Sequence, residues 1–146
     1  IIQSVVDDYN NIYKFKKNIS INYQNDGKSE YLINGIENRI EQIVANLLDN
    51  SISFSDDGSE VIVDVSNGLE KKVTIKILDE GQGFKEKDTS KIFNRFYSNR
   101  PENFGEHSGL GLNIVKNLVE LHDGKIEASN RLDKQGALIE IKFPSL

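Results

Sequence analysis

The sequence predicts an α/β fold, an α+β sandwich in which a mixed sheet carries helices on one face. Three observations predict it. Helical and alternating hydrophobic periodicities follow one another in the order α-β-β-α-β-β-loop-α-β-β. Two of the strand pairs are joined by strong turn signals, Asn67-Gly68 and "DKQG". Between them the stretch from Glu80 to Ser108 loses periodicity apart from a short "KIFNRFY". A long aperiodic stretch inside a compact domain is uncommon and is often a functional lid.

The opening "IIQSVVDDYNNIY" places apolar residues at 1, 2, 5, 6, 9, 12 and 13, which is helical spacing over about 1–15. That periodicity is already under way at residue 1 and the chain holds no methionine, so residues 1–146 are expected to be one excised domain whose first helix leads in from a region upstream. Ile19 and Ile21 then alternate toward Tyr23 as an edge strand, and "NDGKSE" is a turn before a short second strand, "YLINGI". From 37 to 52 the helical pattern returns, with Ile36, Ile40, Ile43, Val44, Leu47, Leu48 and Ile52 on one face. "EVIVDVS" and "KVTIKILD" form a hairpin, a helix covers 109–122, and "KIEAS" with "ALIEIKF" closes the chain as a second hairpin.

Bulk properties narrow the function. A length of 146 residues suits one domain with one core, and 37% hydrophobic with 28% charged residues is the balance of a globular protein. A net charge of −5 argues against a general nucleic-acid-binding surface. There is no cysteine, which excludes disulfides and thiolate metal sites. No apolar run approaches the roughly 18 residues of a membrane span.

Four stretches carry chemistry. Gly109 and Gly111 in "EHSGLGLNIVKNLVELHDG" open a helix. A helix start offers unpaired N–H groups and the positive end of the macrodipole, and glycines there let a phosphate approach, with Ser108 as a cap or hydroxyl donor. A loop end followed by a helix start is the plainer reading of the same residues. The dinucleotide fingerprint is excluded because its third glycine position holds Ile114, and "GKS" at 27–29 lacks the upstream glycine of a P-loop, where Asn22 stands. In "DEGQGF", Asp79 ends an apolar strand and Gly81 and Gly83 let the chain turn beside it, so its carboxylate can accept a hydrogen bond from an exocyclic amine such as that of adenine. In "NLLDNSISF", Arg39, Gln42, Asn46, Asp49, Asn50 and Ser53 lie opposite the apolar stripe. Asparagine costs a helix roughly 0.5–0.7 kcal/mol against alanine, and amide oxygens suit a Mg²⁺ ion that keeps several waters; a solvated face is the alternative. Phe93, Phe96 and Tyr97 are read as anchors of the loop, Arg95 and Arg100 as loop cations able to meet a phosphate, and His107 and His122 as incidental.

Together and in this order, these stretches resemble the catalytic ATP-binding domain of bacterial two-component sensor histidine kinases. "NLLDNSISFS" looks like the family's N box, "DEGQGF" its first glycine box, "KIFNRFY" its F box, "HSGLGL" its second glycine box and "GALIEIKFP" its closing strand. "NSISFS" with "RFYSNRPENFGEHSGLGL" is also similar to the acid- and envelope-sensing ChvG (ExoS) branch.

The resemblance implies a Bergerat-type sandwich with a long ATP lid at about 85–108 and ATP and Mg²⁺ as cofactors. Asp79 would bind the adenine amino group, with Gly81 and Gly83 shaping that pocket. Asn50 would coordinate Mg²⁺ and Asn46 would orient the phosphates. Gly109, Leu110 and Gly111, flanked by Ser108 and Leu112, would bring backbone amides to the phosphate chain. The expected activity is donation of the γ-phosphate to a histidine on a separate dimerisation and phosphoacceptor domain. The expected partners are those upstream helices and a response regulator, the expected place a cytoplasmic domain of a membrane-bound homodimer, and no nucleic acid is expected. Ser53 stands where the N box often has a lysine, and nothing here resembles the phosphoacceptor segment. The alternative is a nucleotide-binding sensory or scaffolding module without transfer. Hydrolytic relatives carry a glutamate where Asn46 stands, and an amide cannot take a proton from water.

Overall fold

The computed structural model describes residues 1–16, 18–26, 31, 33–67, 72–84, 89–93 and 110–145. Helix α1 (Ile2–Lys16) is followed by strand β1 (Ser20–Asn25), helix α2 (Glu37–Phe54) and strands β2 (Glu60–Asn67) and β3 (Lys72–Leu78). A single 3₁₀ turn (Thr89–Phe93) then precedes helix α3 (Leu110–Leu121) and strands β4 (Lys125–Asn130) and β5 (Ala137–Pro144).

The strands form one five-stranded sheet in the order β1-β2-β3-β5-β4. The pairing of β1 with β2 is parallel, because α2 makes the crossover between them; every other pairing is antiparallel and belongs to a hairpin or a return. Alternation assigns the faces. Val61, Val63, Val65, Val73, Ile75, Ile77, Ile139, Ile141 and Phe143 are buried on one face under the helices. The other face is mostly polar apart from the row Ile62, Leu78 and Leu138: Lys76 and Lys142 flank Glu140 at 3.7 and 3.5 Å, in exposed ion pairs that add little stability.

Helix α2 supplies the centre of the core with Ile40, Ile43, Val44, Leu47, Leu48 and Ile52. Ile36 does not join them. It is the N-cap residue in an extended conformation and is exposed. Helix α1 buries Val6 and leans Ile2, Val5 and Tyr9 on the core, while Ile1 and Ile12 of its expected stripe face outward. Polar contacts complete the docking of α1. The Tyr9 hydroxyl donates to the Ala45 carbonyl at 3.2 Å. The Asn10 amide donates to the Ile21 carbonyl at 2.9 Å and accepts from its N–H at 2.8 Å. One side chain thus satisfies two backbone groups on the open edge of β1, the kind of cover an edge strand needs.

The strand expected over 31–36 is not one among the described residues. Only an isolated antiparallel bridge, Ile33 to Ser145, forms there. The reason lies in where the next N–H goes: that of Ile36 donates to Nε2 of His122 at 3.1 Å rather than to a neighbouring strand. This also corrects the reading of His122 as incidental. Its ring is buried and meets Phe143 edge-on at 6.3 Å. Because Nε2 accepts, Nδ1 carries the proton and donates to the Leu118 carbonyl at 2.8 Å. His122 therefore joins the end of α3 to the entry of α2. It is a structural histidine.

Candidate nucleotide site

The last turns of α2, the residues that follow β3 and the turn between β4 and β5 converge at one end of the sandwich. Asp79 sits at the centre, 2% exposed. Its position follows from the strand: β3 ends at Leu78, and the Asp79 N–H still continues the ladder by donating to the Ala137 carbonyl at 3.0 Å. Its Oδ1 accepts from the N–H of Gly81 at 2.9 Å and of Ala137 at 3.1 Å. Burial raises its pKa above the ordinary aspartate value; the two N–H donors, the Arg131 charge and the Ser51 hydroxyl on α2 work against that rise. The carboxylate is desolvated and held in one orientation, which is what an acceptor for a directional hydrogen bond needs.

Gly81 and Gly83 are where the path demands them, for different reasons. A Cβ on Gly81 would lie 2.6 Å from the Phe54 carbonyl oxygen, so the loop can press against the end of α2 only without a side chain. Gly83 has φ of +77°, which L side chains rarely adopt.

Asn50 lies on the same end of α2 and is buried, so it does not belong to a solvated face; Asn46, one turn earlier, is half-buried. Ser53 is buried too, and its hydroxyl donates to the Asn50 carbonyl at 2.7 Å. The residue that replaces the usual lysine is thus spent on its own helix. Leu110 opens α3, Gly111 follows in its first turn, and Leu112 is buried against the core. A Cβ on Gly111 would meet nothing within 4 Å, so no contact among the described residues requires a glycine there. Ser108, Gly109, Arg95 and Arg100 lie outside the described residues, as do His107, Phe96 and Tyr97. Of the expected lid, only 89–93 is described. Ile92 and Phe93 are buried, Thr89 donates to the Ala128 carbonyl at 2.5 Å, and Asn113 of α3 donates to the Phe93 carbonyl at 3.2 Å. Phe93 is therefore an anchor, as expected.

No group of three or more His, Cys, Asp or Glu side chains that could hold a metal occurs among the described residues. The amide oxygen of Asn50 is of a chemistry that suits Mg²⁺, which dehydrates reluctantly and keeps several waters.

One set of contacts had no counterpart in the sequence reading. The turn after β4 lies across the Asp79 loop. Arg131 donates to the Asp79 carbonyl at 3.1 Å, and Asn130 pairs with both backbone groups of Phe84, at 2.6 and 3.1 Å. Lys134 reaches Glu80 at 3.2 Å, and the Glu80 carboxylate accepts the Glu60 N–H at 2.6 Å; that N–H and Lys134 hold the Glu80 pKa below its ordinary value.

Comparison with known proteins places the chain in a family and agrees with its fold. Residues 35–146 match the family described as histidine kinase-, DNA gyrase B-, and HSP90-like ATPase. The sensor protein ChvG of Agrobacterium fabrum is 35% identical over 98% of the chain, which spans 25% of ChvG. The catalytic domain of the histidine kinase ThkA superposes with a TM-score of 0.82 at 25% identity, over 99% of this chain and 90% of that one. The fold is also that of ThkA in its crystal structure with the response regulator TrrA, with a TM-score of 0.77 at 21% identity over 99% of this chain and 40% of that one.

Proposed function

The chain belongs to the family of histidine kinase-, DNA gyrase B- and HSP90-like ATPases, as a histidine kinase catalytic domain, and we propose on that premise that it presents the γ-phosphate of Mg·ATP to a histidine on a separate helical domain. Membership of this family makes ATP its nucleotide. The observation that carries the finer reading is the buried, oriented carboxylate of Asp79 beside the end of α2 that bears Asn50. In this reading Asp79 accepts from the adenine amino group, Gly81 and Gly83 keep the pocket open, Asn50 ligates Mg²⁺ and Asn46 orients the phosphates. Leu110, Gly111 and Leu112 start the helix whose free amides receive the phosphate chain, together with Ser108 and Gly109 before it and Arg95 and Arg100 in the lid. Phosphoryl transfer asks little covalent chemistry of a protein, so catalysis here is positioning and charge stabilisation.

The chain spans about a quarter of ChvG, so the phosphoacceptor helices, a response regulator, a dimeric membrane-bound parent and a cytoplasmic location belong to the proposal. No helix among the described residues is long and apolar enough to cross a membrane. The buried Ser53, unable to stand in for a lysine, favours one second reading, a nucleotide-binding module without transfer.

The deciding assay is radiolabelled ATP. The isolated chain should acquire no label: the expected acceptor lies on the separate hairpin, and His122 is held inside the fold by two hydrogen bonds. Addition of the cognate helical hairpin should give acid-labile phosphohistidine on the hairpin. No label on a verified cognate hairpin, with ATP binding intact, would leave the binding module as the reading.

Gly111→Ala tests the phosphate seat. Alanine is the better helix former and would meet no described atom within 4 Å there, so it should raise stability by about 0.5–1 kcal/mol. If phosphate approaches this turn, ATP affinity should fall in the same variant. A gain in melting temperature without loss of affinity would move the phosphates elsewhere.

A further inference from the structure

The β4–β5 turn is built as a clamp on the Asp79 loop. Gly136 closes the turn, with its carbonyl accepting the Arg131 N–H at 2.9 Å. A Cβ on Gly136 would fall 2.0 Å from the Asp79 carbonyl oxygen, so the two backbones are in direct contact. Arg131 spans that contact. Its Nε and one terminal nitrogen grip the Asp133 carboxylate at 3.0 and 2.8 Å, and its other terminal nitrogen donates to the Asp79 carbonyl at 3.1 Å. The Arg131 side chain is only 4% exposed although Asp133 is at the surface. Asn130 holds the far end of the same loop through both backbone groups of Phe84. The residue after Gly136 is Ala137, whose N–H is one of the two donors that orient the Asp79 carboxylate.

We propose that Arg131, braced by Asp133, is a positioning residue for purine recognition: it fixes the turn that aims the Asp79 carboxylate. The inference rests on the reading of Asp79 as the adenine acceptor. Its physical basis is twofold. The guanidinium fork fills three hydrogen bonds in a fixed plane, which a lysine cannot reproduce. The buried carboxylate also needs a compensating charge. Among the described residues, the charged groups around Asp79 are Arg131, Asp133 and Lys134 of the turn and Glu80 beside it, while α2 presents the neutral Ser51. Arg131 is the cation bonded to the residue itself.

The test measures affinity for Mg·ATP and Mg·GTP by calorimetry from pH 5 to 8 on the whole chain, with Arg131→Gln, Arg131→Lys and Asp133→Asn. Arg131→Gln should weaken ATP binding about tenfold and shrink the ATP-over-GTP preference. Its loss of affinity on acidification should begin at higher pH than in the parent, because a carboxylate without its cation protonates sooner. Arg131→Lys should return the pH profile toward the parent while leaving ATP affinity reduced. Asp133→Asn changes an exposed residue and keeps the Arg131 charge, so it decides the matter if Arg131→Gln does not fold; it should reduce the ATP-over-GTP preference without moving the pH profile. Parent-like affinity, preference and pH profile in Arg131→Gln, or parent-like preference in Asp133→Asn if the former is unfolded, overturns the proposal. A parent that binds ATP and GTP alike instead overturns the assignment of Asp79 to adenine.

Discussion

Asp79→Asn should lower ATP affinity at least about tenfold, roughly 1.4 kcal/mol, and should not lower the stability of the fold. The two effects separate because the same burial governs both. In the folded protein the Asp79 pKa is raised, chiefly by desolvation, above its value in the unfolded chain. The folded state then binds the proton more tightly than the unfolded state, so stability falls as pH rises from the ordinary aspartate range through the raised folded value. At neutral pH the ionised carboxylate is a net cost that the fold carries. Asparagine removes the charge, keeps an oxygen for the N–H groups of Gly81 and Ala137, and fits the same space. Its amide nitrogen, however, brings a donor to a place where the adenine amino group also donates. Urea denaturation at neutral pH should show the variant equal to or more stable than the parent, with the difference vanishing in acid. Calorimetry should show the affinity loss. A variant that loses stability at neutral pH and binds ATP normally would make Asp79 a structural residue.

This cost explains why Asp79 was legible in the sequence while the residues that hold it were not. A carboxylate at the end of the apolar run "KVTIKILD", followed by two glycines, conflicts with local packing rules, and such conflicts mark function. Asn50 stands out as a poor helix former inside a strong helix, but on the residues alone a solvated face is the stronger reading, and its burial overturns that. Arg131 breaks no local rule. It sits in a polar turn, where an arginine calls for no explanation, and its contact with Asp79 joins residues 52 positions apart. His122 was misread for the same reason, since its bond to Ile36 spans 86 positions. The strand expected at 31–36 shows the converse error: "YLINGI" reads as a strand, but among the described residues only Ile33 bridges to another segment and Ile36 gives its N–H to His122. Periodicity and motif spacing record what a residue does to its neighbours in the chain. The clamp and the histidine act across the fold.

The largest effect is expected from Asn50→Ala, which should abolish transfer to the hairpin while leaving the domain folded. Asn50 is buried in the last turns of α2, and its amide oxygen is of a chemistry that suits Mg²⁺. Mg²⁺ keeps several waters and is bound chiefly through substrate phosphates, so loss of the Asn50 amide should misplace the γ-phosphate more than it weakens nucleotide binding. In phosphoryl transfer the metal both neutralises developing charge and fixes the line of attack, so a displaced metal should reduce the rate by about 10²-fold or more. Asn50→Ala should also bind ATP with an affinity that barely responds to added Mg²⁺, in contrast to the parent. Gln42→Ala, on the same helix but about two turns before Asn50, is the control and should alter neither. The fold should tolerate Asn50→Ala because alanine is the better helix former, although the exchange leaves a small void. Single-turnover transfer and titrations with and without Mg²⁺ read both effects. If Asn50→Ala and Gln42→Ala transfer phosphate at the parent rate, the metal is held from outside α2.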